Sequence, residues 1–328
     1  MIKLNILITA LGGDIGANVL NLILQQKKSC VNIYGTDVNN QIFSSNKVRK
    51  FYKVERVDHP EYKDQILQIV KKNNIKIILP ISENEIIWFS NNRVLFEELK
   101  IELIINDKNI IDTFLNKLKT SEELTKLGIL TPKTLSYDKF NNQIDFPLIL
   151  KSKYSISSKA IYHINSKNQL EYLSACIENQ CSYIIQECVG SIDEEYTTTV
   201  YRDEHKFEVI TFKRKLTGGM TSYASIQNID ILVEYSKKIA DFFNLQGCIN
   251  IQSRKVNNEF YVFEINPRFS STVFIRNNFG FQDVYWWLNK TLHQNYFHVD
   301  QDKVKRSGCA VLGYQYRFFN NEDQHENR

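Results

Sequence analysis

The sequence predicts a mixed architecture: an N-terminal α/β unit with a doubly wound parallel sheet, then an α+β region built on antiparallel sheets. Three observations carry this expectation. Over the first hundred residues, apolar runs of strand length alternate with amphipathic helical stretches, as strand–helix–strand units around a parallel sheet do. From about residue 133 the strands follow one another through short connections, in the manner of hairpins. And 328 residues exceed one ordinary domain and call for two or three cores.

In the first unit, NILITAL, NIYGTDV, IKIILPIS and IELIIN read as buried strands. Helical patterns near 16–28, 60–73 and 84–98 lie among them. One long amphipathic helix is expected over 106–132, stopped by Gly128 and Pro132. FPLILKSK and KAIYHIN then form a hairpin, followed by a helix at 167–179 and a strand at YIIQECV. EYTTTVYRD and KFEVITFKRKL read as strands and 228–244 as a helix; CINIQS and YVFEINPRFSST read as a strand pair. The helix FQDVYWWLNKTL and a short strand-like tail follow, and the polar end NNEDQHENR is expected to fray.

Composition narrows the function classes. With 43% hydrophobic residues, 24% charged residues and a net charge of +4, the chain reads as soluble and globular. No lysine/arginine block argues for nucleic acid. The apolar runs fall far short of the roughly 20 residues of a membrane span. MIKLNILITALGG enters a strand directly, without the features of a signal peptide. Cys30, Cys176, Cys181, Cys188, Cys248 and Cys309 are scattered without CxxC pairs or nearby histidines. This speaks against a zinc site or a disulfide framework and fits reduced thiols in a cytoplasmic protein.

Three groups of residues are candidates for chemistry. ALGGDIGANVL followed by YGTDV sets a glycine turn before a helix, with Asp37 further on. Gly12, Gly13 and Gly16 only approximate the dinucleotide fingerprint. NAD binding, a purely structural turn, and an anion held on the helix N-terminus therefore all remain open.

The second group is the strand pair, where Asn250, Gln252, Glu264 and Asn266 alternate with apolar residues. If Gln252 opposes Glu264 and Asn250 opposes Asn266, the hairpin centres on Asn258 and needs an odd-numbered loop. A two-residue Asn257–Asn258 turn would turn the pairs to opposite faces, so KVNNEF is expected to form a three- or five-residue loop. An acid and three amides on one patch are hard oxygen donors suited to Mg²⁺; a solvated polar sheet face is the alternative.

The third group lies upstream: Lys119 on the long helix, Lys151 closing the strand PLILK, and Glu187 ending an apolar strand before a turn. Lys151 can point at phosphate oxygens, and Glu187 can accept from an amine or a ribose hydroxyl. Ser82, Glu83 and Glu85 follow a strand on the edge where such sheets bind ligands; Ser82 with Glu85 also reads as a helix capping box. YWW at 285–287 reads as core or a subunit contact, and His59, His163 and His293 as surface or packing residues.

Taken in order, Lys119, Lys151, QECV, EEYTTTV, NIQ and EINPR resemble the ATP-grasp superfamily, most closely its carbamoyl-phosphate-synthetase-like and biotin-carboxylase-like branch. The resemblance covers about residues 1–300. It implies a Rossmann-like domain at 1–106, a linker helix and small lid subdomain at 107–187, and a large subdomain with a C-terminal tail at 188–328. It implies ATP and Mg²⁺, small carboxylate and amine substrates, and no nucleic-acid or membrane partner; related proteins are often dimers.

Residue by residue, Lys119 and Lys151 would contact ATP phosphates. Glu187, Cys188 and Val189 would form the adenine hinge, with Glu195 at the ribose. Asn250 would belong to the nucleotide site, and Gln252, Glu264 and Asn266 would hold Mg²⁺. Arg268 would steady the transferred phosphoryl group. SSTVFIRNNFGF resembles ligases of cell-surface polysaccharide gene clusters, in which an arginine like Arg276 meets an acidic substrate.

One departure concerns the phosphate-covering loop. It is YSISSKA here, with Ser155, Ser157 and Ser158 at glycine positions and Lys159 beside them. Ser157 and Ser158 are the expected phosphate donors. The implied reaction is ATP-dependent carboxylate–amine ligation through an acyl phosphate, releasing ADP and phosphate, on a sugar or amino-acid precursor of a surface polysaccharide. A binding-only protein with a degenerate lid and an NAD-linked oxidoreductase are the alternatives.

Overall fold

The structure, a computed structural model, describes residues 4–26, 31–154, 161–177, 179–217, 220–300, 304–312 and 316–319. The expected serine loop at 155–160, Cys30 and the polar end at 320–328 lie outside the described residues.

The first unit forms around a parallel sheet of β1 (Leu4–Ile8), β2 (Val31–Asp37), β3 (Lys50–Lys53), β4 (Ile77–Leu79) and β5 (Glu102–Leu103), ordered β3-β2-β1-β4-β5. In the central strands, Ile6, Leu7, Ile8 and Ile77–Leu79 are apolar and buried because helices cover both faces. Those helices are α1 (Asp14–Gln25), α2 (Tyr62–Lys72), α3 (Glu83–Asn91) and α4 (Arg93–Glu98). The sequence reading has no counterpart to β3, a four-residue edge strand with an exposed lysine at each end. The 84–98 helix also divides, at Asn92.

The long helix expected over 106–132 is in fact two, α5 (Lys108–Phe114) and α6 (Lys117–Lys126). Asn116 breaks it. Its buried side chain accepts from the amides of Leu118 (3.1 Å) and Lys119 (3.2 Å), capping a new helix start. Apolar residues continue on both sides of the break, so periodicity alone does not reveal it.

A four-stranded antiparallel sheet follows, made of β6 (Thr134–Ser136), β7 (Leu148–Ser152), β8 (Ile161–Ile164) and β9 (Tyr183–Glu187), ordered β6-β9-β7-β8. It carries α7 (Lys167–Cys176). The larger sheet comprises β10 (Glu195–Arg202), β11 (Phe207–Thr217), β12 (Met220–Gln227), β13 (Gly247–Val256), β14 (Glu259–Asn266), β15 (Cys309–Leu312) and β16 (Tyr316–Phe319). Its order is β14-β13-β10-β11-β12-β15-β16. The helices α8 (Asp230–Phe242), α9 (Val273–Asn278) and α10 (Asp283–Leu292) accompany it.

The larger sheet is apolar on two sides. One core joins it to α5, α6 and α8 through Ile110, Phe114, Tyr235, Ile249 and Ile251. The other runs through α9 and α10 into α1 and the parallel sheet. Tyr285, Trp286 and Trp287 sit in this second core, and the Tyr285 hydroxyl donates to Leu22 O at 2.7 Å. At the same seam Asn106 Nδ2 donates to Cys248 O (2.7 Å) and Pro267 O (3.0 Å), tying the end of the α/β unit to β13 and the turn after β14. Among the described residues, no helix is long and apolar enough to cross a membrane.

Gly247 leaves no room at this seam. A Cβ there would lie 2.4 Å from Trp287 Cζ2 and 2.8 Å from Asn106 Oδ1. Gly247→Ala is expected to destabilise the fold by about 1–3 kcal/mol through overpacking. Urea unfolding checks this: the midpoint falls while the m-value stays constant.

Candidate nucleotide and metal site

The strand pair β13–β14 is built differently from the expectation and reaches the same register. Val256 pairs with Glu259 across a two-residue Asn257–Asn258 turn, with both residues at positive φ, as a type I′ turn demands. The three- or five-residue loop is therefore corrected. A β-bulge between Gln252 and Ser253 supplies the missing residue: Ser253 pairs with Val262, yet Gln252 pairs with Glu264 and Asn250 with Asn266. Phe263 is the extra residue. Because of it, Phe263 and Glu264 both line one cavity, while Val262 and Ile265 both serve the core behind the sheet.

That cavity has a volume of about 890 Å³ and lies among the three sheets, within the size range of small-molecule sites. Glu264 is its electrostatic centre. Lys117 Nζ stands 3.3 Å from Glu264 Oε1, with the lysine nine-tenths buried. Burial pushes the Glu264 carboxyl up, but Lys117 and Lys151 outweigh it and hold the group below the usual carboxylate range. Burial pushes the Lys151 ammonium down to about 8, with Glu264 opposing and Lys117 and Arg254 reinforcing. The Phe263 ring lies near two cations, Lys151 Nζ at 5.8 Å and Arg254 at 5.5 Å from its centre.

Of the residues expected at a metal, Gln252, Glu264 and Asn266 all line the cavity. One carboxylate and two amide side chains fit Mg²⁺, which takes few protein ligands and leaves other positions to water and phosphate. Arg268 lines the cavity as well. Its guanidinium donates to Glu83 Oε1 at 2.6 and 3.1 Å and to Asn266 Oδ1 at 3.4 Å. Glu83 is thus an anchor for Arg268 across the two units.

Ser82 is the N-cap of α3 and also donates to Glu85 Oε2 at 2.6 Å, so the capping reading holds. Glu85 is buried among the hydroxyls of Thr9, Tyr62 and Ser82. Burial raises its carboxyl above the ordinary range despite these bonds.

Several expected site residues lie elsewhere. Lys119 is exposed and absent from the cavity wall; the break at Asn116 turns Lys117 inward instead. Asn250 is fully buried and off the cavity wall, its Oδ1 accepting from Thr197 (2.9 Å) and Thr199 (3.2 Å). Arg276 is fully buried in an ion pair with Asp283 at 2.6 Å and also donates to Ser270 and Thr272, so it is a packing residue and not a substrate contact.

Glu187 and Val189 line the cavity and Cys188 does not. Glu187 Oε2 already accepts from Lys133 N at 3.1 Å. Glu195 lines the cavity, but both its oxygens are engaged, Oε1 by Arg214 (2.9 Å) and Oε2 by Arg254 (3.2 Å), which leaves it poorly placed for a ribose. Ser157 and Ser158 lie outside the described residues.

His163, read as a surface or packing residue, is exposed but lines the cavity edge. Sequence reasoning also missed Lys117, Phe263, Arg214 and Arg254. Only Lys117 had a local signal, the cap-forming Asn116 before it. Asp37 braces the glycine turn, accepting from Gly12 N (2.8 Å) and Asn39 N (2.9 Å), and Gly13, Asp14 and Asp37 line the cavity. Asp14 occupies the first turn of α1.

A family model described as the PylC-like N-terminal domain matches residues 6–104. A second, described as the ATP-grasp in the biosynthetic pathway with Ter operon, matches residues 191–312. The C-terminal section of the carbamoyl phosphate synthase large chain of Aquifex aeolicus is 25% identical over 244 residues, 66% of this chain and 41% of that protein. The large chain of Saccharolobus solfataricus is 25% identical over 231 residues, 64% of this chain and 22% of its own. The chain thus spans less than half the length of these relatives.

Among solved structures, N5-carboxyaminoimidazole ribonucleotide synthetase from Thermus thermophilus superposes with a TM-score of 0.71 at 14% identity, covering 93% of this chain and 82% of that one. The biotin carboxylase domain of the Hydrogenobacter thermophilus 2-oxoglutarate carboxylase, in complex with MgADP, ADP and bicarbonate, gives 0.71 at 14% identity, covering 93% and 74%.

Burial gives Lys151 a titration that would limit an anion bound beside it. Its ammonium is lost as pH rises through about 8, so Mg-ADP affinity is expected to fall above that point by up to tenfold per pH unit. Lys151→Arg is expected to shift this loss out of the accessible range. Calorimetric titration across pH checks both.

Proposed function

We propose that this member of the ATP-grasp superfamily is an ATP-dependent carboxylate–amine ligase that works through an acyl phosphate. The observation that carries the reading is Glu264 held between Lys117 and Lys151 on the wall of a nucleotide-sized cavity. A carboxylate cannot expel oxide when an amine attacks it, so it needs a better leaving group. One substrate's carboxylate oxygen attacks the γ-phosphorus of ATP and ADP departs. The amine then displaces phosphate from the acyl carbon and gives up a proton.

Such phosphoryl transfer asks the protein for positioning and charge neutralisation rather than a nucleophile. Lys117 and Lys151 bind the phosphates, and Arg268, oriented by Glu83, faces the transferred group. Gln252, Glu264 and Asn266 would hold Mg²⁺, which when bound would neutralise phosphate charge. Val189, at the end of the β9 hinge, receives the adenine edge. The four-stranded sheet closes over the nucleotide and excludes water, which strengthens each of these interactions.

Two other readings carry less support. An NAD-linked reading rests on the glycine turn alone, whose Gly12, Gly13 and Gly16 only approximate the dinucleotide fingerprint. Arg276 is buried against Asp283 and makes no contact with the cavity, so the substrate class proposed is a small carboxylate and an amine, with a surface-polysaccharide precursor resting on the resemblance of SSTVFIRNNFGF alone. Incubation with ATP, Mg²⁺ and acid–amine pairs is expected to release ADP and phosphate; AMP and pyrophosphate would contradict the acyl-phosphate route. Glu264→Gln is expected to lower the rate of ADP release by about 10²–10³-fold, with the melting temperature measured in parallel.

A further inference from the structure

The cavity contains a cation that the ligase chemistry above does not use. Arg214 on β11 lines the cavity and is only 6% exposed. Its one ion pair is to Glu195 Oε1, at 2.9 Å, and its Nε has no hydrogen-bond partner among the described residues. Glu195 must also serve Arg254, which donates to Oε2 at 3.2 and 3.3 Å. A single carboxylate thus stands between two guanidiniums. The row Arg254–Glu195–Arg214 carries a surplus positive charge and a buried unpaired N–H, an arrangement that is unfavourable unless an anion completes it.

Position indicates which anion. The sheet order β14-β13-β10-β11 puts Arg214 three strands from Glu264, roughly 14 Å at ordinary strand spacing. The hinge contact, Arg254 to Val189 O, is made from β13, two strands away. Arg214 therefore lies strands away from Glu264, and it shares the Glu195 carboxylate with Arg254, the residue that reaches the hinge carbonyl. Around it the wall mixes Leu216 with the hydroxyls of Ser270 and Ser271. Leu216, two residues along the strand, pairs with Thr221, whose hydroxyl meets that of Ser271. Leu216 and Ser271 also line the cavity.

We infer that Arg214 recognises an anionic group of the second substrate, so that one of the molecules joined here carries a carboxylate or phosphate beyond the group that reacts. A guanidinium fork held on one side by Glu195 presents its remaining N–H groups in the planar arrangement that such an oxyanion matches. Glu195 acts as a positioning residue: it orients Arg214 and does not itself touch the ligand. This inference rests on the ligase reading and deepens it by naming a charge the substrate must have.

The test uses the full chain saturated with Mg-ADP, titrated calorimetrically with sodium succinate and with inorganic phosphate. Wild type is expected to bind at least one of them. Arg214→Gln should weaken that binding at least tenfold and Arg214→Lys should restore part of it, with Mg-ADP affinity changed less than twofold in both. Those selective changes exclude a merely structural role, which would shift nucleotide and anion binding together. Loss of Mg-ADP affinity equal to the loss of anion affinity would assign Arg214 to the nucleotide and overturn the inference. So would wild-type protein that binds Mg-ADP but neither anion, or a glutamine variant that binds anions like wild type. Wild-type protein unable to bind Mg-ADP would overturn the ligase reading itself.

Discussion

One carboxylate flanked by two lysines organises this molecule. Burial pushes the Glu264 carboxyl up, and Lys117 and Lys151 pull it below the usual carboxylate range; burial pushes the Lys151 ammonium down, and Glu264 opposes that shift. Such clusters contribute little net stability, since desolvating several charges consumes most of what their attraction returns. They are effective at holding an arrangement of charge ready for a highly charged ligand. The three residues come from α6, β7 and β14, so the cluster also links the linker helix, the smaller antiparallel sheet and the larger one.

Two backbone irregularities make that arrangement reachable. The helix break at Asn116 starts α6 with Lys117 facing inward, and the bulge at Phe263 lets two consecutive residues of β14 face the same cavity. A regular helix and a regular hairpin would each have lost one element of the cluster. Bulges of this kind re-aim side chains beside functional sites, and here the bulge restores the register that the tight Asn257–Asn258 turn alone would have reversed. Arg268 adds the parallel-sheet unit to the assembly through Glu83.

These irregularities also explain which features the sequence reveals. The alternation of buried strands and helices was legible because each strand is a continuous apolar run, and QECV, NIQ and EINPR were legible as an ordered set. Gln252 opposite Glu264 could be read from spacing, although through the wrong loop, since a turn and a bulge that compensate each other leave no trace in residue count. Lys117 is hidden in the sequence because apolar residues continue through Asn116, and the resemblance points to Lys119 instead. The substrate role of Arg276 comes from the resemblance of SSTVFIRNNFGF alone; its pairing with Asp283, beyond the helix that carries it, emerges only from packing. Arg214 and Arg254 meet Glu195 across neighbouring strands, from 19 and 59 residues away, which no local pattern encodes.

The central claim is that magnesium nucleotide binds against Glu264, between the two antiparallel sheets. The most direct measurement is a crystal structure of the chain grown with Mg²⁺ and a non-hydrolysable ATP analogue. The account predicts phosphate density within reach of Lys117 and Lys151, a metal on Glu264 and Asn266, and adenine beside Val189. Nucleotide at the Gly12–Gly13 turn, or phosphates held by Lys119 with Glu264 still closed onto Lys117, would contradict it.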